Sequence, residues 1–199
     1  MAPGTIRPAV KLVALLLATM LCCHADSGAK IVEAARKQVG VTTLYDPAYI
    51  TLAYPNGDVP ADRGVCTDVL VRALRTGLAI DLQQIVHEDM RGHFSAYPKV
   101  WGLKRPDPNI DHRRVPNLQT LLKRRGCQQP LDPAKPDPAK FLPGDIVTCT
   151  VPPHLPHVMI VSDRKTAAGT PLVIHNIGAG AREEDCLLTY PLTGHYRWK

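Results

Sequence analysis

Between residues 130 and 143 the chain reads PLDPAKPDPAKFLP, with five prolines in fourteen residues. Each proline fixes φ near −65° and removes a backbone N–H, so neither a helix nor an interior strand runs through this stretch. It is read as a surface connection, and it divides two kinds of pattern. Upstream, apolar residues recur at helical spacing; downstream, they alternate. Helices followed by strands imply an α+β protein with helices packed on an antiparallel sheet.

Upstream, Ile31, Val32, Ala35 and Val39 predict a helix from Ser27 to Val39, stopped by Gly40. Residues 41–61 read as loop with a turn at Pro55-Asn56-Gly57-Asp58. Val65, Val69, Leu70, Ala73 and Leu74 predict a second helix, with Asp62 as its cap and Gly77 as its end. Asp81 caps a third over Leu82 to Met90, and prolines keep 94–114 irregular. Leu118, Leu121 and Leu122 form a fourth, ended by Gly126.

Downstream, Val147, Cys149 and Val151 share one face of a strand over Asp145 to Val151. His157 to Ser162 and Leu172 to Ile177 are rich in β-formers. Leu187 to Trp198 reads as extended chain broken at Gly194. There is no internal repeat and no second domain.

Arg7 and Lys11 precede an apolar run from Leu12 to Cys23, and Ala25 is small enough for cleavage. Residues 1–25 therefore read as a secretory signal peptide, leaving 26–199 as one exported domain, periplasmic and without a transmembrane anchor. Removing Arg7 and Lys11 from the 24 basic side chains leaves 22 against 18 acidic ones, a balance of +4. That is ordinary solvated surface charge, or attraction to an anionic envelope polymer. With no RNA-binding motif and 5% aromatic residues, nucleic acid is not the partner expected. No feature fixes an oligomeric state.

Loss of Cys22 and Cys23 leaves Cys66, Cys127, Cys149 and Cys186. Cys149 belongs to the core face of its strand. A Cys127–Cys186 disulfide is compatible with export, though spacing does not decide it. Cys66, in RGVCTDVL, opens a helix. There the helix dipole and free N–H groups favour the thiolate. Such a thiol is a nucleophile if an imidazole takes its proton and a third group holds that ring. Otherwise it is half of a disulfide or a small core residue. His157 opens one strand and His175 lies in the next, where antiparallel pairing sets them side by side; each also fits a hydrogen-bonded core histidine.

The order of a helix-start cysteine, LPGDIV at 142–147, HVMIV at 157–161 and VIH at 173–175 resembles the papain-like NlpC-type cell-wall peptidases. Together GVCTDV, HRRVPNL, LPGDIV, HVMIVSD, VIHNIGAG and GHYRW resemble, from about residue 30 to the end, a bacterial exported family catalogued as domain of unknown function 1287. The resemblance implies a papain-like NlpC-type fold, with the nucleophile-bearing helix on a small antiparallel sheet and no cofactor. It implies Cys66 as nucleophile, His157 as general base and His175 as orienting residue. NlpC-type peptidases carry aspartate before the cysteine and serine-glycine after it; here stand Val65 and Thr67-Asp68. The oxyanion donors are therefore open among the Cys66 N–H, Tyr45 and Tyr49.

Other features carry two readings each. HLPH at 154–157 with His175 offers zinc ligands, but Pro156 forbids helical spacing and no glutamate stands between. DHRR at 111–114 is a structural pair such as Asp111 with Arg113, or a substrate carboxylate clamp through Arg113 and Arg114. NIGAG, starting at Asn176, is a turn or a close backbone approach to a ligand. GHYRW closes the sheet. The functions consistent with this are a cysteine hydrolase cutting an envelope amide, with murein peptide leading; a non-catalytic envelope-binding module; and an acyltransferase or lipid-directed hydrolase.

Overall fold

A computed structural model describes residues 26–199; the signal-peptide reading of 1–25 lies outside them. Residues 26–36 are helical (α1), followed by a turn that Gly40 closes at φ +79°. Three more helices follow: α2 (Cys66–Leu78), α3 (Leu82–His93) and α4 (Val115–Arg124). Two short parallel strands, β1 (Leu44–Tyr45) and β2 (Arg63–Gly64), pair ahead of α2. A second sheet of five antiparallel strands comprises β3 (Ile146–Val151), β4 (Leu155–Lys165), β5 (Pro171–Asn176), β6 (Ala181–Glu184) and β7 (Leu192–Tyr196). Its order is β6-β5-β4-β3-β7. The molecule is α+β, as the pattern implied.

The period of two sorts the core into two layers. Ile146, Val158, Ile160 and Ile174 face the helices and pack with Ile31, Leu70, Leu74, Leu118 and Leu121. Val147, Cys149, Met159, Val161 and Val173 face the other way, under Phe141, Leu187 and Leu192. The proline-rich connection holds only a 3-10 turn at Pro138–Lys140.

Several boundaries differ from expectation for physical reasons. The N-cap of α2 is Val65, not Asp62. Valine has no acceptor; instead Asp68, three residues on, accepts the Val65 N–H at 2.7 Å. Gly77 lies inside α2, and the left-handed cap is Ala79 at φ 57°. A Cβ on Gly77 would fall 2.7 Å from the Lys30 carbonyl oxygen, so that glycine serves the contact with α1. Asp81 does cap α3, accepting from Gln83 N at 3.1 Å, and the helix continues to His93. Gly194 does not break β7; the register shift falls beside it, between Thr148 and Cys149 on the partner strand.

All four described cysteines are free and buried. Cys127 packs on the helix side of the sheet and Cys186 on the other, so a Cys127–Cys186 bridge does not form. No helix among the described residues is long and apolar enough to cross a membrane.

Candidate active site

Cys66 is the first residue of α2, which packs against β4 and β5. The approach to it is tightly shaped. Gly64 has φ +150°, and a Cβ there would lie 2.9 Å from that of Asp68. Asn176, at the end of β5, donates to the Gly64 carbonyl at 3.0 Å and accepts from Gly178 N at 3.1 Å. It therefore ties the strand bearing His175 to the segment that delivers Cys66. Asp68 is held in turn by Arg113, whose Nε and Nη2 each lie 3.0 Å from its oxygens. Both side chains are almost wholly buried, at 2% and 3% exposed.

The ladder between β4 and β5 starts at Ile160↔Ile174. Val158 has no partner on β5, and its N–H favours the anionic form of Cys66. The N–H groups of Thr67 and Cys66 itself also favour the anion. Burial outweighs them and pushes the thiol up to about 11, with Asp68 adding to the rise.

His157 pairs with Cys149 in the β3–β4 register, on the face of Met159 and Val161. Its Nε2 lies 2.7 Å from Nδ1 of His175, and Nε2 of His175 lies 2.9 Å from Oε1 of Glu184. Burial, reinforced by His175, lowers His157 to about 3; burial also lowers His175, against the pull of Glu184. The resting pair is thus a neutral thiol and a neutral imidazole, not an ion pair. The two histidines meet directly, as strand adjacency implied. Among the described residues no hydrogen bond joins the sulfur to the His157 ring, because Cys66 packs on the helix side of β4 while His157 projects from the other.

Cys66 opens into a cleft of about 220 Å³ lined also by Tyr45, Val65, Trp101, Arg114 and Pro156. Tyr45 faces this cleft, and its hydroxyl is raised by burial first and by Cys66 second. Tyr49 does not belong to it. Its hydroxyl donates to Asp107 and accepts from Asn109, both at 3.0 Å, beside a separate opening along 102–109.

The paired arginines divide. Arg113 also donates to the Ala48 and Asp46 carbonyls at 2.9 Å, so its donors are engaged within the protein. The structural pair expected between Asp111 and Arg113 is instead Asp111 with Arg114, at 3.1 Å. Arg114 lies 4.2 Å over the Trp101 ring. Its Nε and Nη2 have no hydrogen-bond partner among the described residues, and it lines the cleft. Trp101 and Glu184 were not singled out in the sequence. Neither sits in a recognisable motif, and only pairing of β5 with β6 brings Glu184 to His175.

His195 is structural: its Nε2 lies 2.7 Å from buried Asp145, which also binds Arg197. NIGAG forms the β5–β6 turn, with the Gly180 backbone close to Thr42 and Thr43. Among the described residues no group of three or more histidine, cysteine, aspartate or glutamate side chains is arranged to hold a metal ion.

The family model described as "Domain of unknown function (DUF1287)" matches residues 32–198. The chain is 51% identical over 180 residues to a protein of Escherichia coli (strain K12) named "Uncharacterized protein YijF". That match covers 90% of this chain and 86% of the other.

Proposed function

The chain belongs to the DUF1287 family, and from that premise we propose that it is an exported cysteine hydrolase of the papain-like NlpC type, cutting an amide bond of the cell envelope, with murein peptide as the leading substrate. The observation that carries this reading is the His157–His175 hydrogen bond of 2.7 Å, on a strand against which the helix headed by Cys66 packs. A cysteine at the head of a helix packed on an antiparallel sheet, with histidines on two adjacent strands, is the arrangement the NlpC-type resemblance implies. Residues 26–199 would form its single domain.

The chemistry is acyl transfer. For the reaction the thiol must leave the helix side of β4 and reach Nδ1 of His157 past residues 157 and 158, where β4 is not yet paired with β5. His157 takes the proton as the sulfur–carbon bond forms. The carbon–nitrogen bond then breaks, and His157 returns that proton to the leaving amine. Water, deprotonated by His157, attacks the thioester, and the proton goes back to sulfur. The Cys66 N–H and the Tyr45 hydroxyl are the candidate oxyanion donors, and Arg114 is placed to receive a substrate carboxylate.

Purified murein and its peptides, incubated with wild-type and Cys66→Ala protein and read by mass spectrometry, test the reading. New fragments are expected from wild type only. Equal activity in the Cys66→Ala protein would sink it. A second reading, a non-catalytic envelope-binding module, draws support from the neutral thiol and the missing sulfur–imidazole bond. On that reading both proteins bind murein and neither cuts it.

A further inference from the structure

We infer that Glu184 is a positioning residue that sets the direction of the hydrogen bonds through the two histidines, so that His157 is left with a bare Nδ1 able to accept a proton. The inference rests on the reading of Cys66 and His157 as nucleophile and base.

A pair of neutral imidazoles sharing one proton has two directions of comparable energy. Either His157 donates from Nε2 to Nδ1 of His175, or His175 donates from Nδ1 to Nε2 of His157. The two are not equivalent for chemistry. In the first, His157 keeps a lone pair on Nδ1 and can act as a base. In the second, its Nδ1 carries the hydrogen and cannot accept another.

Glu184 removes the symmetry. A carboxylate oxygen only accepts, so Oε1 at 2.9 Å requires the hydrogen of His175 on Nε2. Nδ1 of His175 is then an acceptor, and the contact of 2.7 Å requires the hydrogen of His157 on Nε2. Nδ1 of His157 is left bare. The same carboxylate stabilises the positive charge that arrives on the pair when His157 takes the thiol proton.

The position suits this task. In the β5–β6 ladder Glu184 pairs with Val173 and reaches His175 diagonally. The His175 side chain is wholly buried, whereas that of Glu184 is 38% exposed. Replacing Glu184 therefore need not open the core. The neighbouring Glu183 serves another purpose on the opposite face, binding Arg36 at 2.8 Å.

The test uses full-length processed protein labelled with ¹⁵N at histidine, as wild type, Glu184→Ala and Glu184→Gln. Long-range ¹H–¹⁵N correlation reports which ring nitrogen carries hydrogen. Both His157 and His175 are expected as Nε2–H in wild type. His157 is expected to shift partly or wholly to Nδ1–H in Glu184→Ala, a change that loss of packing alone does not produce. Glu184→Gln keeps the shape and stands in should the alanine variant fail to fold. It is expected to give mixed tautomers, because an amide both donates and accepts. Unchanged tautomers in the variants, or Nδ1–H on His157 in wild type, would overturn the role of Glu184. In parallel, iodoacetamide should alkylate Cys66 roughly tenfold or more slowly in the variants, with Cys149 unaffected. If wild-type Cys66 reacts no faster than Cys149, the hydrolase reading fails, while the tautomers still decide on Glu184.

Discussion

Arg113 and Arg114 are neighbours with the same local chemistry and different work. The motif DHRR marks both as candidates to hold a carboxylate, and both do, although the carboxylates are the protein's own. Asp68, the partner of Arg113, stands 45 positions upstream, beyond the reach of any local pattern. Leaving a buried charge without its partner costs about 3–5 kcal/mol. Arg113→Ala should therefore lower unfolding free energy in urea by about that amount, and Arg113→Lys should recover little because one ammonium cannot span both oxygens. Arg114→Ala should cost less, since its guanidinium lies at the cleft edge over Trp101. Equal losses for the two alanine variants would contradict the division of roles. The meeting of His157 with His175 was legible because each begins or interrupts an otherwise apolar strand.

The elements were legible where burial is one-sided. β3, β4 and β5 carry alternating or continuous apolar residues and appear near their expected limits. β6 was not anticipated: its sequence AREE has one apolar residue, and as an edge strand it buries little. β1 and β2, two residues each, hold no period at all. Yet these three short strands frame the candidate site. β6 supplies Glu184, and β1 and β2 lead the chain into α2. The lead-in depends on Gly64, where a side chain meets both a positive φ and the Asp68 carboxylate. Gly64→Ala should cost roughly 1–3 kcal/mol and disturb the cap that Asp68 makes on Val65. Thermal unfolding followed by circular dichroism measures the loss, and an unchanged melting temperature would show that the backbone can relax there.

Across the whole molecule, the buried histidines give stability a direction in pH. His157 and His112 are 4% and 2% exposed. Burial is the largest cause in each, lowering His157 to about 3 and His112 to about 4, the latter with a contribution from Arg113. In the unfolded chain both titrate near 6.5. Below that pH the unfolded chain takes up protons that the native protein refuses, so stability is full above 6.5 and falls as pH drops towards 4 and then 3. At pH 4.5 the two rings together should cost on the order of 5 kcal/mol. Carboxylates act in the same sense at lower pH. Arg124 holds Asp89 below its ordinary range, Arg36 does so for Glu183, and Arg197 and His195 overcome burial at Asp145. Asp111 opposes them, since burial raises it. Urea unfolding of the described domain at pH 7 and pH 4.5 should show the loss, and His112→Gln should shrink the difference between the two pH values by about half. A stability equal at both would mean that both rings are protonated in the native state at pH 4.5. That would also remove the neutral His157 on which proton transfer from Cys66 depends.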